Sequence, residues 1–361
     1  MGRYVLAQVS QSALRHNLQQ VRKFAPQSKV IAMVKANAYG HGLTKVAKTL
    51  QDCDALGVAC IDEALKIRQA GVNTNIVLME GIFREDELKL VQEYHFTLVV
   101  HHWQQIQALQ NYQGPLNEKF KVWLKMNTGM NRLGFGVNEF DEAWRMLSAV
   151  HQVELIGYMT HFACADDKQG SLTTRQCEQF KEVVASKPGQ HCLANSAGIL
   201  GHPQTHGDWV RPGLMLYGAS PFPDSVGSDF NLQPAMSLYS EIIAIRNLKI
   251  GEKVGYGSTW ENTHKDCKVG IVAIGYGDGY PWHAKNGTPV LVNGQRVHTV
   301  GRVSMDMLAV DLSALKQVEV GAPVTLWGKD LPIEEVARHA GTIPYELFCR
   351  FTERVHVEVI T

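Results

Sequence analysis

No stretch of this chain approaches the ~20 consecutive apolar residues that a membrane-spanning helix requires, so no membrane partner is expected. Charge of one sign is missing as well: 35 Lys and Arg are matched by 35 Asp and Glu. A nucleic-acid partner normally demands a clustered basic surplus, and none is expected here. The N-terminus, MGRYVLAQVSQSALRHN, has neither a long apolar core nor a small-residue cleavage site. No signal peptide is expected, and the expected location is cytoplasmic. The seven cysteines (53, 60, 164, 177, 192, 267, 349) are odd in number and never spaced CxxC. That argues for reduced structural thiols and against a disulfide framework or a zinc site. His202 and His206 have a metal-like spacing, but Pro203 and Gly207 make the segment a loop. No metal is expected.

What is present is an ordinary globular composition, 361 residues of which 45% are hydrophobic, long enough for two domains. The first part of the chain carries a repeating rhythm. Apolar runs at Val30–Val34, Ala55–Ala59, Asn75–Met79, Phe96–Val100, Lys121–Met126, Glu154–Thr160, His191–Ala194 and Trp209–Tyr217 alternate with helix-like segments such as Leu43–Leu50, Asp62–Ala70 and Thr173–Ser186. Such alternation implies parallel strands joined by crossovers, and eight strand candidates predict an α/β fold with a TIM-like (β/α)8 barrel. After Pro221-Phe222-Pro223 the pattern changes to strand-like stretches, Met236–Ile245, Val269–Ile274, Pro289–Val292, Met307–Asp311 and Pro323–Leu326, with only Ile333–His339 helical. The expected organisation is a barrel over residues 10–225 and a mostly-β domain over 226–361, joined by an N-terminal strand within residues 1–9.

In a β/α barrel the chemistry sits at the C-terminal ends of the strands. Those ends carry Lys35, Arg132, His161, Asn195-Ser196 and Arg211. Each alone has a plain structural reading: a solvated end charge, a core histidine, a salt-bridge partner, an N-cap. Five on one face point to a site. A lysine in a desolvated pocket near other cations can form a Schiff base with a carbonyl. Ser196 at a helix start, near the N–H groups of Gly213 and Leu214, suggests a phosphate cradle. Lysine plus cradle fits a phosphorylated aldehyde cofactor, namely pyridoxal phosphate, or a phosphorylated sugar substrate as in an aldolase. Spacing does not choose between them.

The choice comes from a resemblance. AMVKANAYGHG (32–42) resembles the cofactor-lysine signature of bacterial alanine racemases, fold-type III pyridoxal-phosphate enzymes. The match continues in order through KMNTGMNRLGF (125–135), THFACAD (160–166), ANSAG (194–198), RPGLMLYGASP (211–221), VGYGSTW (254–260), GYGDGYP (275–281) and VGRVSMDML (300–308). The resemblance implies a pyridoxal 5'-phosphate-dependent isomerase that interconverts L- and D-alanine, for peptidoglycan supply or alanine catabolism, as a homodimer with shared active sites. Lys35 would bear the cofactor and act as base on one face of the substrate Cα. Tyr256, from the partner subunit, would be the acid/base on the other. Tyr39, His161, Asn195, Ser196, Arg211, Gly213 and Leu214 would bind the cofactor. Arg132, Met305 and Asp306 would meet the substrate, with Tyr276 and Arg302 at a narrow entrance. Lys125 matches a position carbamylated in some family members. Two departures stand out. Pro281-Trp282-His283 occupies a stretch where some relatives carry an entrance arginine, and Glu353 stands where some place a phosphate-binding tyrosine. The alternatives are a racemase for another small or broad-range amino acid on the same fold or a non-catalytic cofactor-binding barrel. A decarboxylase would carry a glutamate where Arg211 stands, and the carrier barrels lack any counterpart of Tyr256 or Met305.

Overall fold

The computed structural model describes residues 3–361. They form two compact units, one of residues 15–38 and 42–216, the other of the N-terminal residues to 14 together with 39–41 and 217–361.

In the first unit eight strands are all parallel. Taken around the sheet they are Thr97–Val100, Ile76–Leu78, Ala55–Val58, Lys29–Met33, Trp209–Val210, Gln190–Cys192, Val153–Met159 and Phe120–Asn127, and the last pairs with the first to close a barrel. Most of these strands are buried on both faces, which is why they read as continuous apolar runs rather than as alternation. Helices between them bury one side only; in Leu172–Val184 the buried set is Thr173, Gln176, Cys177, Phe180 and Val184, an i, i+3, i+4 stripe. The eighth strand is shorter than its sequence suggests. Only Trp209–Val210 extends, because the Arg211-Pro212-Gly213 segment turns into a 3-10 helix over Leu214–Tyr217.

The second unit is mostly β. Met236–Leu248 is 13 residues long and pairs with three other strands, Leu6–Ser10, Pro323–Trp327 and Cys267–Val272. A register shift between Ile242 and Ala244 lets this strand serve both ends of the sheet, so six strands close on themselves. Leu6–Ser10 and His356–Ile360 extend the edge, the former antiparallel to Met236–Leu248 and parallel to the C-terminal strand. The strand Gln295–Val300, with its polar GQRVHTV sequence, and the helix Pro344–Cys349 were not apparent from the apolar pattern. All seven cysteines are free, and among the described residues no helix is long and apolar enough to cross a membrane.

The barrel strands leave no spare room where Gly157 faces its neighbour. A Cβ there would lie 2.0 Å from the Gln190 carbonyl oxygen, a backbone atom that cannot swing aside. Gly157→Ala is expected to cost about 3 kcal/mol, seen as a lower urea midpoint for loss of the barrel's circular dichroism.

Candidate active site

Lys35 follows the barrel strand Lys29–Met33, and the backbone immediately after it is left-handed. Ala36, Asn37, Ala38 and Tyr39 have φ of 53°, 54°, 54° and 52°. A non-glycine residue in this region costs roughly 1–2 kcal/mol, so four in succession persist only because neighbours fix them. Glu63 accepts the Ala36 N–H at 2.7 Å and the Ala59 N–H at 2.9 Å. Asn37 Oδ1 accepts the Leu43 N–H at 2.8 Å, and Ala38 N–H reaches the Val34 carbonyl at 2.8 Å. Small side chains at 36 and 38 make the turn possible. The turn ends the strand abruptly and leaves Lys35 at its tip.

Around Lys35 the barrel unit gathers cations. Arg211 is 3% exposed and is held by main-chain oxygens: Nη1 donates to the Cys192 carbonyl at 2.7 Å, and Nη2 to those of Thr160 at 2.6 Å and Leu193 at 3.0 Å. Nη1 also lies 3.1 Å from Cys192 Sγ. Arg211 Nη2 donates to His161 Nδ1 at 3.3 Å, which assigns that ring its acceptor on Nδ1. The imidazole is pushed down to about 2, first by burial and then by Arg211, Lys125, Arg132 and Lys35, so it is neutral at every ordinary pH. Lys125, 7% exposed, is pulled down to about 8 by burial and then by Arg211, Arg132 and Lys35. Among the described residues no carboxylate lies within ion-pair distance of Lys35, Lys125, Arg132 or Arg211.

This is a positively charged mouth without its counter-charges, the environment an anionic ligand completes. Arg211 adds a finer detail: its Nη donors are all spent on the chain, while its Nε–H has no acceptor among the described residues. Ser196 Oγ is buried and accepts the N–H of Gly213 at 2.9 Å and of Met215 at 3.3 Å, which leaves its own hydroxyl proton to donate. Asn195 spends its Oδ1 on the Gly198 N–H at 2.9 Å, an N-cap for the short helix Ser196–Gly201. A group bearing phosphate, a phenolic oxygen and a basic ring nitrogen fits these residues.

The remaining predicted residues lie in the β unit. Tyr39 is buried there, stacked on Tyr217 with ring centroids 4.7 Å apart, and burial drives its phenol well above the usual range. Tyr276 N–H donates to the Ser304 carbonyl at 3.0 Å and Gly277 N–H to that of Met305 at 2.8 Å. At Gly255 an added Cβ would lie 3.3 Å from the Arg302 nitrogen. Tyr256, Arg302, Met305, Asp306 and Tyr276 therefore come from three loops packed side by side. The face is open: Tyr256 is 72% and Met305 53% exposed. Trp282, His283 and Glu353 are exposed as well.

Sequence reasoning missed several supporting groups. Tyr345 packs against Tyr39 with ring centroids 6.0 Å apart, so a tyrosine reaches Tyr39 from IPYEL rather than from the RFTERV stretch that carries Glu353. Gln176 Nε2 donates to Thr128 Oγ1 at 3.1 Å and to the His161 carbonyl at 3.2 Å, and Thr128 meets Thr160 at 2.8 Å. A glutamine on an otherwise apolar helix stripe was the available signal. The pH dependence of stability follows from His161. Below ~6.5 the unfolded imidazole takes up a proton, while the folded one refuses it until about pH 2. Its contribution is full above the unfolded pKa and is lost as pH falls, by up to about 1.4 kcal/mol per pH unit. His161→Gln apoprotein is expected to show a shallower acid limb in urea unfolding between about pH 6 and 4; parallel limbs would show an ordinary histidine.

Comparison with known proteins agrees with this geometry. Residues 9–221 match the family model described as the alanine racemase N-terminal domain, and residues 235–359 match the alanine racemase C-terminal domain. An alanine racemase of Shewanella denitrificans is 48% identical over 359 residues, covering 98% of each chain. A biosynthetic alanine racemase of Escherichia coli is 47% identical over 354 residues, again 98% of each. The crystal structure of a biosynthetic alanine racemase from Pseudomonas aeruginosa superimposes with a TM-score of 0.96 at 42% identity, covering 99% of this chain and all of that one. With both halves matched and full-length relatives near half identical, this chain belongs to the alanine racemase family.

Proposed function

We propose that this chain interconverts L-alanine and D-alanine with pyridoxal 5'-phosphate, using Lys35 and Tyr256 as opposed bases. The observation that carries the reading is the set of cations around Lys35 with no carboxylate within ion-pair distance among the described residues. The cofactor would be held by the Lys35 amine. Its phosphate would meet Tyr39, Ser196, Gly213 and Leu214, with Asn195 capping the helix beside them. Arg211 Nε–H is the donor available to its ring nitrogen, and Arg132 would meet its phenolic oxygen and the substrate carboxylate, a natural task for a guanidinium fork. When bound, the cofactor supplies the electron sink that loosens the Cα proton.

The chain's own residues then decide where that proton goes. Racemisation needs removal from one face and return to the other. The Lys35 amine would serve one face and the Tyr256 hydroxyl the other. A guanidinium never gives up its proton at neutral pH, so Arg211 would leave the ring nitrogen bare and weaken the sink, which disfavours side reactions. The neutral His161 would link Arg211 to the acid/base relay without adding charge of its own. Lys125, with its lowered pKa, holds enough free amine near neutral pH to take up carbon dioxide as a carbamate, N–C bond formed and one proton released. That would add the negative charge the cluster lacks.

Tyr256 is too exposed to work as a base on its own surface, which supports a site completed by a second copy. Met305 and Asp306 would then line the substrate pocket from the partner, with Tyr276 and Arg302 at its entrance, in an isologous homodimer. The word biosynthetic in the name of the Escherichia coli relative supports D-alanine supply over catabolism, and peptidoglycan assembly from the cytoplasm would be its use.

Lys35→Ala is expected to lose both the visible absorbance of bound cofactor and racemisation. Tyr256→Phe is expected to keep the absorbance and lose about 10²–10⁴ in turnover, chiefly from L-alanine. Wild-type rates in both directions in Tyr256→Phe would remove it from the mechanism, and no chiral product from wild type and alanine would sink the function. A shared site makes a further demand. Mixing the two inactive variants after dissociation should restore about a quarter of wild-type activity, because half the dimers are mixed and each has one intact site. No recovery would place both bases in one chain.

A further inference from the structure

We propose that Arg3, Asp278 and Arg354 are positioning residues that fasten the Met305–Asp306 segment, so that an arginine just ahead of the N-terminal strand sets affinity for the substrate. The inference rests on the place given to Met305 and Asp306 in the substrate pocket above.

Asp278, in the turn Gly275–Tyr280, is 0% exposed. Its Oδ1 accepts from Arg3 Nη1 at 2.6 Å and lies 3.4 Å from Arg354 Nε. Its Oδ2 accepts from Arg3 Nη2 at 2.7 Å and from the Gly275 N–H at 2.9 Å. Both arginines then reach onward to the same neighbour. Arg3 Nη2 donates to the Asp306 backbone carbonyl, and Arg354 Nη2 donates to Asp306 Oδ1 at 2.7 Å. One buried carboxylate is thus tied to Asp306 twice, once to its main chain and once to its side chain.

The segment needs such a fastening. Residues 303–307 belong to no helix or strand, and Met305 and Met307 stand exposed. Their regular restraints are the Tyr276 and Gly277 amides and the Ser304 N–H bond to Met307 at 2.9 Å. A bidentate charge-assisted pair fixes direction as well as distance. Asp278 has no solvent to fall back on, so withdrawing Arg3 leaves a buried charge with one partly exposed arginine, an expensive state. The clamp therefore stays shut, unlike an ordinary surface ion pair. At Gly277 an added Cβ would lie 2.4 Å from Arg354 Nη1, so the turn must be bare for that arginine to cross it.

The test compares wild type, Arg3→Ala, Arg3→Lys and Arg354→Gln as loaded enzymes, by alanine kinetics and by amide hydrogen exchange. Arg3→Ala is expected to raise KM about tenfold with kcat within about twofold, the pattern of lost binding rather than lost chemistry. Exchange should quicken in residues 275–280 and 303–307 and nowhere in the barrel. Arg3→Lys, which keeps the charge but not the fork, should fall between. If Arg3→Ala does not fold, Arg354→Gln, which cuts the bridge to the Asp306 side chain, carries the same expected rise in KM. Unchanged KM with unchanged exchange in a folded variant overturns the proposal, as does a fall in kcat alone. Wild type inactive on alanine overturns the functional reading instead, while the exchange measurement still decides whether Arg3 holds the segment.

Discussion

Like charges gathered without counter-charges govern this molecule. Lys35, Lys125, Arg132 and Arg211 share the barrel's strand ends, and among the described residues no carboxylate lies within ion-pair reach of them. Such a cluster opposes folding, and the chain answers in two ways. It keeps His161 neutral and draws Lys125 toward neutrality, and it wraps Arg211 in main-chain oxygens that stabilise its charge without cancelling it. What remains is an electrostatic demand that an anionic ligand meets. Stability is given up locally for a site whose field is in place before anything binds.

The geometry around that charge is equally prearranged. Four left-handed residues after Lys35 would not hold in a free peptide, and Glu63 and Asn37 hold them by hydrogen bonds to the backbone. Behind His161, Gln176, Thr128 and Thr160 form a closed polar set in which each buried group finds a partner. The barrel gives these second-rank groups fixed positions, because its strands are buried on both faces and its neighbours approach at backbone contact, as at Gly157. A reactive lysine on a flexible loop would have neither its direction nor its field.

The β unit solves a different problem. Its functional side chains stand on loops and face outward, so precision must come from clamps rather than from burial. The Asp278 carboxylate, two arginines and the paired amides of residues 276 and 277 supply it. The exposed tyrosine at position 256 stands over this fixed floor, and in the proposed dimer the floor would set its distance and the second copy its environment.

The barrel was legible in the sequence because eight buried strands leave eight apolar runs, and Lys35 and His161 were legible because each follows a run directly. Polar strands such as Gln295–Val300 left no such mark, since only part of one face is buried. Nor did Gln176, Glu63, Tyr345 or Asp278 announce themselves: hydrogen-bond partners 13, 27 or 275 residues apart have no local periodicity. By itself the sequence determined which groups are available and the order in which the strands present them, because burial and spacing are written residue by residue. Only the tertiary structure decided that Arg211 spends its Nη donors on carbonyls, that His161 stays uncharged and that Arg3 reaches Asp278. Those facts are set by distance and desolvation, and both exist only once remote segments meet.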